Sequence, residues 1–153
     1  MSRHRLVVPA ALAAVALAAP AAAHADTTLT FKELDKGSTF HIIDNPPKDT
    51  KTHHLTPGDQ FVIQNRLADN SGKRIGTLRA TCAMTNSKDS ICYGVFSFKN
   101  GTLDALVAQP NTEKSTTTTG GIIGGTGVYA GARGSFVSKQ TKTGGNDTVT
   151  LLG

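Results

Sequence analysis

Hydrophobic and polar positions alternate along most of this chain. In the run 60–68, Phe61, Ile63, Asn65 and Leu67 fall on one side. In 75–85, Leu78, Ala80, Cys82 and Met84 share a side, and Thr77, Arg79, Thr81 and Thr85 face the other way. A period of two belongs to a strand, whose successive side chains point to opposite faces. The runs 27–34, 91–99, 102–108, 116–123, 135–141 and 148–152 are similarly alternating or rich in β-formers. Beyond the first 25 residues, no stretch sustains an apolar face at i, i+3, i+4. Many short strands predict an all-β domain, either an antiparallel sandwich or a closed barrel, and the pattern alone does not choose.

Turn residues separate the runs: Asn70-Ser71-Gly72, Asn86-Ser87-Lys88-Asp89, Asn100-Gly101 and Gly144-Gly145-Asn146-Asp147. Asn100-Gly101 suits a type I′ hairpin and is the strongest of these signals. The glycine-rich run 120–136 predicts a corner between two strands. Gly124, Gly125 and Gly127 are expected to take positive φ there, and Gly131 and Gly134 to release the chain into the next strand. Residues 125–130 also fit G-x-G-x-x-A, but a dinucleotide site needs a following helix, and Gly131 and Gly134 fall where it would run. Residues 44–58, with Asn45-Pro46-Pro47 and Thr56-Pro57-Gly58, predict a long surface loop. It carries His53 and His54. Only Asp49, Asp59 and His41 are near in sequence, at spacings that make no metal set, so a solvated pair is expected and no metal.

Lys and Arg number 16 against 11 Asp and Glu, a formal net charge of +5. The basic residues are scattered, which gives no stripe for nucleic acid. Residues 1–25 read as a signal peptide: Arg3 and Arg5, an alanine-rich apolar run, then the small-x-small Ala23-His24-Ala25 before Asp26. Residues 26–153 are then a single secreted domain without a stable membrane anchor. Cys82 and Cys92 are the only cysteines, and in an exported chain they are expected to pair. With Ser87 at the centre of the turn, the two oppose each other on neighbouring strands. A bridge over so short a loop adds about 2–3 kcal/mol. The same register puts Phe96 and Phe98 on the face of Leu78, Ala80, Cys82 and Met84. Asn65 is the polar member of an apolar row, so it is either a satisfied core amide or a ligand contact.

Gly58-Asp59, Asn65-x-Leu67-x-Asp69, Gly76 and Cys82 resemble, in order and spacing, the allene oxide cyclase barrels. Ile123-Gly124-Gly125-Thr126-Gly127 and Gly131-Ala132-Arg133-Gly134 are similar to the glycine-rich block those cyclases share with dirigent proteins. The likeness runs from residue 29 to the C-terminus and extends to small secreted actinobacterial barrels that also carry a cysteine pair. It implies an eight-stranded antiparallel β-barrel, calycin-like, often trimeric, whose lumen holds an apolar ligand. In the plant cyclases a first-strand Glu and Asn, a Ser-Pro pair, a second Asn and a Cys line the site. Here Asn65 matches the second Asn, and Asp35-Lys36-Gly37-Ser38 matches the stretch after the first strand, with Thr39 replacing the proline. Thr30 stands at the Glu position and Lys32 at the first Asn.

The expected ligand-binding set is therefore Asn65, Ser38, Thr30 and Lys32 as polar contacts, with Phe61, Ile63, Leu78, Phe96 and Phe98 as the wall. The expected partner is a small hydrophobic molecule, with no cofactor and no nucleic acid. No nucleophile–base pair stands out, which argues against hydrolysis. Three readings stay open: a barrel that binds an apolar compound and guides its cyclisation or coupling, an isomerase or cyclase with a substrate of its own, and a structural extracellular barrel with no ligand.

Overall fold

A computed structural model of the chain describes residues 26–46, 55–110 and 117–153. The segment read as a signal peptide lies outside these residues, as do Asp49, His53 and His54. Eight strands follow one another: β1 (Thr27–Ile43), β2 (Gln60–Ala68), β3 (Arg74–Met84), β4 (Asp89–Phe98), β5 (Gly101–Pro110), β6 (Thr117–Gly125), β7 (Gly134–Thr141) and β8 (Gly144–Leu151). Each pairs antiparallel with the next, and β8 closes on β1, so the sheet is a closed barrel. The choice between sandwich and barrel is settled by that closure, which pairs strands that would otherwise be exposed edges.

β2 has the expected limits, but β1 is longer than the run 27–34. Its register on β2 shifts between Leu34 and Thr39. There Gly37 takes φ 81°, and the Ser38 hydroxyl donates to the Leu34 carbonyl at 2.6 Å. This bulge breaks the two-residue period, and the strand resumes beyond it. Gly144-Gly145-Asn146-Asp147 is not a turn. It opens β8, and the β7–β8 turn is Lys142-Thr143. A Cβ on Gly144 would come within 2.0 Å of the Glu33 carbonyl oxygen. Close approach of β1 explains glycine at this position. Similarly, Lys99-Asn100 forms the centre of the β4–β5 turn, and Gly101 starts β5.

The glycine corner joins β6 to β7 through a single 3₁₀ turn, Gly127–Tyr129, so the helix that a dinucleotide site requires does not follow. Gly127 and Gly131 have φ 62° and 76°, whereas Gly124 and Gly125 are not at positive φ. Gly125 is small for a different reason: its Cβ would meet the carbonyl oxygens of Tyr129 and Thr102 at 2.5 and 2.6 Å. At the other end of the barrel, Asp59 is buried and accepts the Asn45 amide at 2.8 Å and the Thr56 amide at 2.6 Å. These bonds from Thr56 and Asn45 hold its carboxyl below the usual range. They fasten the described ends of the β1–β2 connection to the residue that leads into β2.

Cys82 and Cys92 oppose each other in the β3–β4 register and are disulfide-bonded, with Cα atoms 4.0 Å apart. Inward rows from all strands form the core. An aromatic layer crosses it: Phe31 meets Phe96 and Phe98 edge-on at 5.4 and 5.6 Å, and Phe96 meets Phe136 at 5.8 Å. With buried Leu67, Leu103 and Val149, this layer fills the half of the barrel towards the glycine corner. The half towards the disulfide is hollow.

Candidate functional site

The hollow is a cavity of about 470 Å³. Its walls come from alternate residues of β1 to β7. Phe61, Ile63, Leu78, Phe96, Val107 and Phe136 supply apolar surface, and the Cys82–Cys92 bridge forms part of one side. Gln109, Gln140, Thr141 and Lys142 line it from the strand ends and the turn towards its mouth. Five of the nine residues expected at the ligand, Asn65, Phe61, Ile63, Leu78 and Phe96, do line this cavity.

The other four are elsewhere. Thr30 and Lys32 alternate with the inward-facing, buried Phe31 and Glu33, so they point away from the lumen, and Thr30 is exposed. Ser38 sits in the β1 bulge with its hydroxyl on the Leu34 carbonyl. Phe98 lies on the far side of Phe31 and lines a separate cleft.

Two carboxyl groups occupy the place where Thr30 and Lys32 were expected to act. Glu33 lines the cavity and is 7 % exposed, and Asp147 behind it is 2 % exposed. The β1–β8 register opposes Phe31 to Asp147 and Glu33 to Gly145, so the two carboxyls are diagonal neighbours on the inner face. Asn65 Nδ2 donates a hydrogen bond to Glu33 Oε2. From the other side, Gln140 Nε2 donates to Ser138 Oγ at 3.1 Å, and Ser138 opposes Asp147 across β7–β8. Gln140, Ser138, Asp147, Glu33 and Asn65 thus make one polar strip along one side of the lumen.

Burial dominates the titration of this strip. It pushes the Glu33 carboxyl up to about 8, helped by the charge of Asp147 and opposed by the bond from Asn65. Burial also raises Asp147, while Ser138 and Glu33 favour its ionised form. Neither oxygen of Asp147 has an N–H or hydroxyl donor in good hydrogen-bonding geometry. A proton retained on Glu33 avoids two adjacent buried charges. Glu33, at the cavity wall, therefore keeps its proton up to about pH 8. Such a group can donate a hydrogen bond or a proton to an oxygen of a bound molecule.

Asp147 was hidden in the sequence by the glycines before it, which look like a turn. Glu33 was legible. It follows Leu29 and Phe31 at the two-residue period, and a charged residue in such a row is as conspicuous as Asn65.

No family model matches the sequence. No curated protein matches it either. Solved structures do. The barrel is similar to a pyocyanin demethylase at 22% identity and TM-score 0.67, over 82% of this chain and 99% of that one. It is similar to a pterocarpan synthase dirigent protein at 18% identity and TM-score 0.63, over 83% of each chain. It is also similar to AbnU, an exo-specific intermolecular Diels–Alderase, at 12% identity and TM-score 0.64, over 85% of this chain and 100% of that one. The chain has the dirigent-type barrel fold. Its extent over these proteins' own length shows that the whole domain shares this architecture.

Proposed function

We propose that this barrel binds a small apolar molecule in its lumen and guides that molecule's cyclisation or coupling, with Glu33 as the acid. The cavity of about 470 Å³ with a protonated carboxyl on its wall carries this reading. Pockets of this size, mostly apolar with a few converging polar groups, suit a compound of drug-like dimensions. Neighbours named as a dirigent protein and a Diels–Alderase support it, because both names denote guided bond formation. A structural barrel without a ligand would have no need of a hollow, or of a buried carboxyl such as Glu33 facing it.

The chemistry follows from the residues. Apolar walls fold a flexible substrate and exclude water, which brings its reacting ends together. Glu33 donates to a carbonyl or ether oxygen, stabilising negative charge as it develops there. Where the proton transfers fully to a carbonyl oxygen, a C=C π pair of the substrate forms one new σ bond to the carbonyl carbon as the C=O π bond is lost, and the carbocation left behind releases a proton back to the carboxylate. Asn65 steadies the carboxylate in the interval. Asp147 keeps Glu33 protonated beforehand. On this reading the chain acts after export, with residues 1–25 removed.

The test uses an achiral apolar triene bearing a ketone, which cyclises slowly to a racemate by itself. The reading expects a faster reaction and an excess of one enantiomer, with rate and excess both reduced in Glu33→Gln. Across a panel of such trienes, racemic product at the uncatalysed rate in every case would leave the structural reading in possession.

A further inference from the structure

At the opposite end of the barrel, a second cleft of about 520 Å³ lies beneath the aromatic layer. It exists because the barrel wall is notched. β8 pairs with β1 from Thr27 onward, but β2 reaches β1 only at Lys32. Along Thr27–Phe31 one edge of β1 therefore has no strand beside it, and the cleft follows that edge from Thr28 to Phe31. An unpaired strand edge presents backbone N–H donors alternating with C=O acceptors.

Phe31, Phe98 and Tyr129 form the aromatic surface of this cleft, with Phe98 and Tyr129 5.7 Å apart. Arg74, at the start of β3, and Lys99, in the β4–β5 turn, stand at its margin, both exposed. Among the described residues neither has an ion-pair partner. Among the described residues, no acidic side chain lines the cleft. The arrangement combines tilted aromatic rings, two cations and unpaired backbone groups.

We propose that this cleft is a second binding site, distinct from the lumen, for small aromatic carboxylates. The ring packs against Phe98 and Tyr129, where stacked or edge-on contacts are favourable. The carboxylate meets Arg74, whose planar guanidinium matches its two oxygens, and Lys99 adds a second charge. A neutral ligand of the same shape would leave both cations unused, so the site discriminates by charge.

The probe is 2-naphthoate, titrated into the protein while backbone amide resonances are followed, with 2-naphthamide as the neutral control. The expected result is saturable shifts at Thr28–Phe31 and Phe98–Gly101, and at least tenfold weaker binding of the amide. Arg74→Gln with Lys99→Gln should weaken naphthoate binding by a similar factor. Both residues are exposed, so the fold is preserved. Absence of saturable shifts would overturn the site, as would shifts confined to lumen residues such as Phe61 and Asn65. So would equal binding of acid and amide, or indifference to the double variant. Lumen binding of trienes does not enter any of these outcomes.

Discussion

Asn65 on β2 donates its side-chain amide hydrogen to Glu33 on β1, two residues out of direct register. This single bond joins the polar residue that stands out in the β2 sequence to the carboxyl that its neighbours make unusual. Asn65→Ala should leave the barrel folded, because the lost bond costs about 1–3 kcal/mol when its partner stays buried. Product selectivity or lumen affinity should fall much further than that stability loss accounts for. Thermal unfolding and enantiomeric excess measured on the same variant separate the two effects.

The raised carboxyl of Glu33 has a consequence for pH. In the unfolded chain it ionises near 4.5, and in the barrel near 8. Below pH 4.5 both states hold the proton and its contribution is fully present. Between those values only the folded state holds it, so stability falls as pH rises, and levels off above about 8. Thermal denaturation from pH 5 to 9 should show a decline that is markedly flatter in Glu33→Gln. A parallel decline in the variant would place the titration elsewhere.

The disulfide forms part of the lumen wall, so it affects both stability and shape. Thiol labelling of the native protein without reduction should find no free sulfhydryl. The Cys82→Ala/Cys92→Ala protein should lose about 2–3 kcal/mol in denaturant unfolding.

Gly127→Val should cost about 1–3 kcal/mol for its positive φ alone. A Cβ there would also stand 2.2 Å from the Asn100 carbonyl oxygen. Gly131 has a comparable φ but nothing within 4 Å of its Cβ position. Gly131→Ala should therefore be the milder change, and comparing denaturation midpoints of the two variants checks the ranking.

Strand identity was legible from alternation, and the β3–β4 register from the cysteines, because side-chain period and turn position together determine which residues oppose. Closure was not, since it depends on β8 meeting β1, a contact across the whole chain that no local pattern encodes; only the family resemblance pointed to it. The site was half legible for the same reason. Phe61, Ile63, Asn65, Leu78 and Phe96 lie on strands with unbroken alternation and line the lumen. Thr30 and Lys32 were positioned by matching family motifs rather than by their own period, which puts Glu33 in the lumen instead. Asp147 follows two glycines that signal a turn when read alone. In the barrel, Gly144 instead lets β1 and β8 approach.

The central claim is that the lumen receives an apolar molecule whose oxygen meets a protonated Glu33. The most direct measurement is binding of β-ionone, a neutral apolar ketone, by titration calorimetry from pH 6 to 9.5. The account predicts saturable binding that weakens as pH rises through about 8, as the Glu33 proton is lost, and that is weaker and independent of pH in Glu33→Ala. Absence of binding, or binding equally strong at every pH and in the variant, would contradict it.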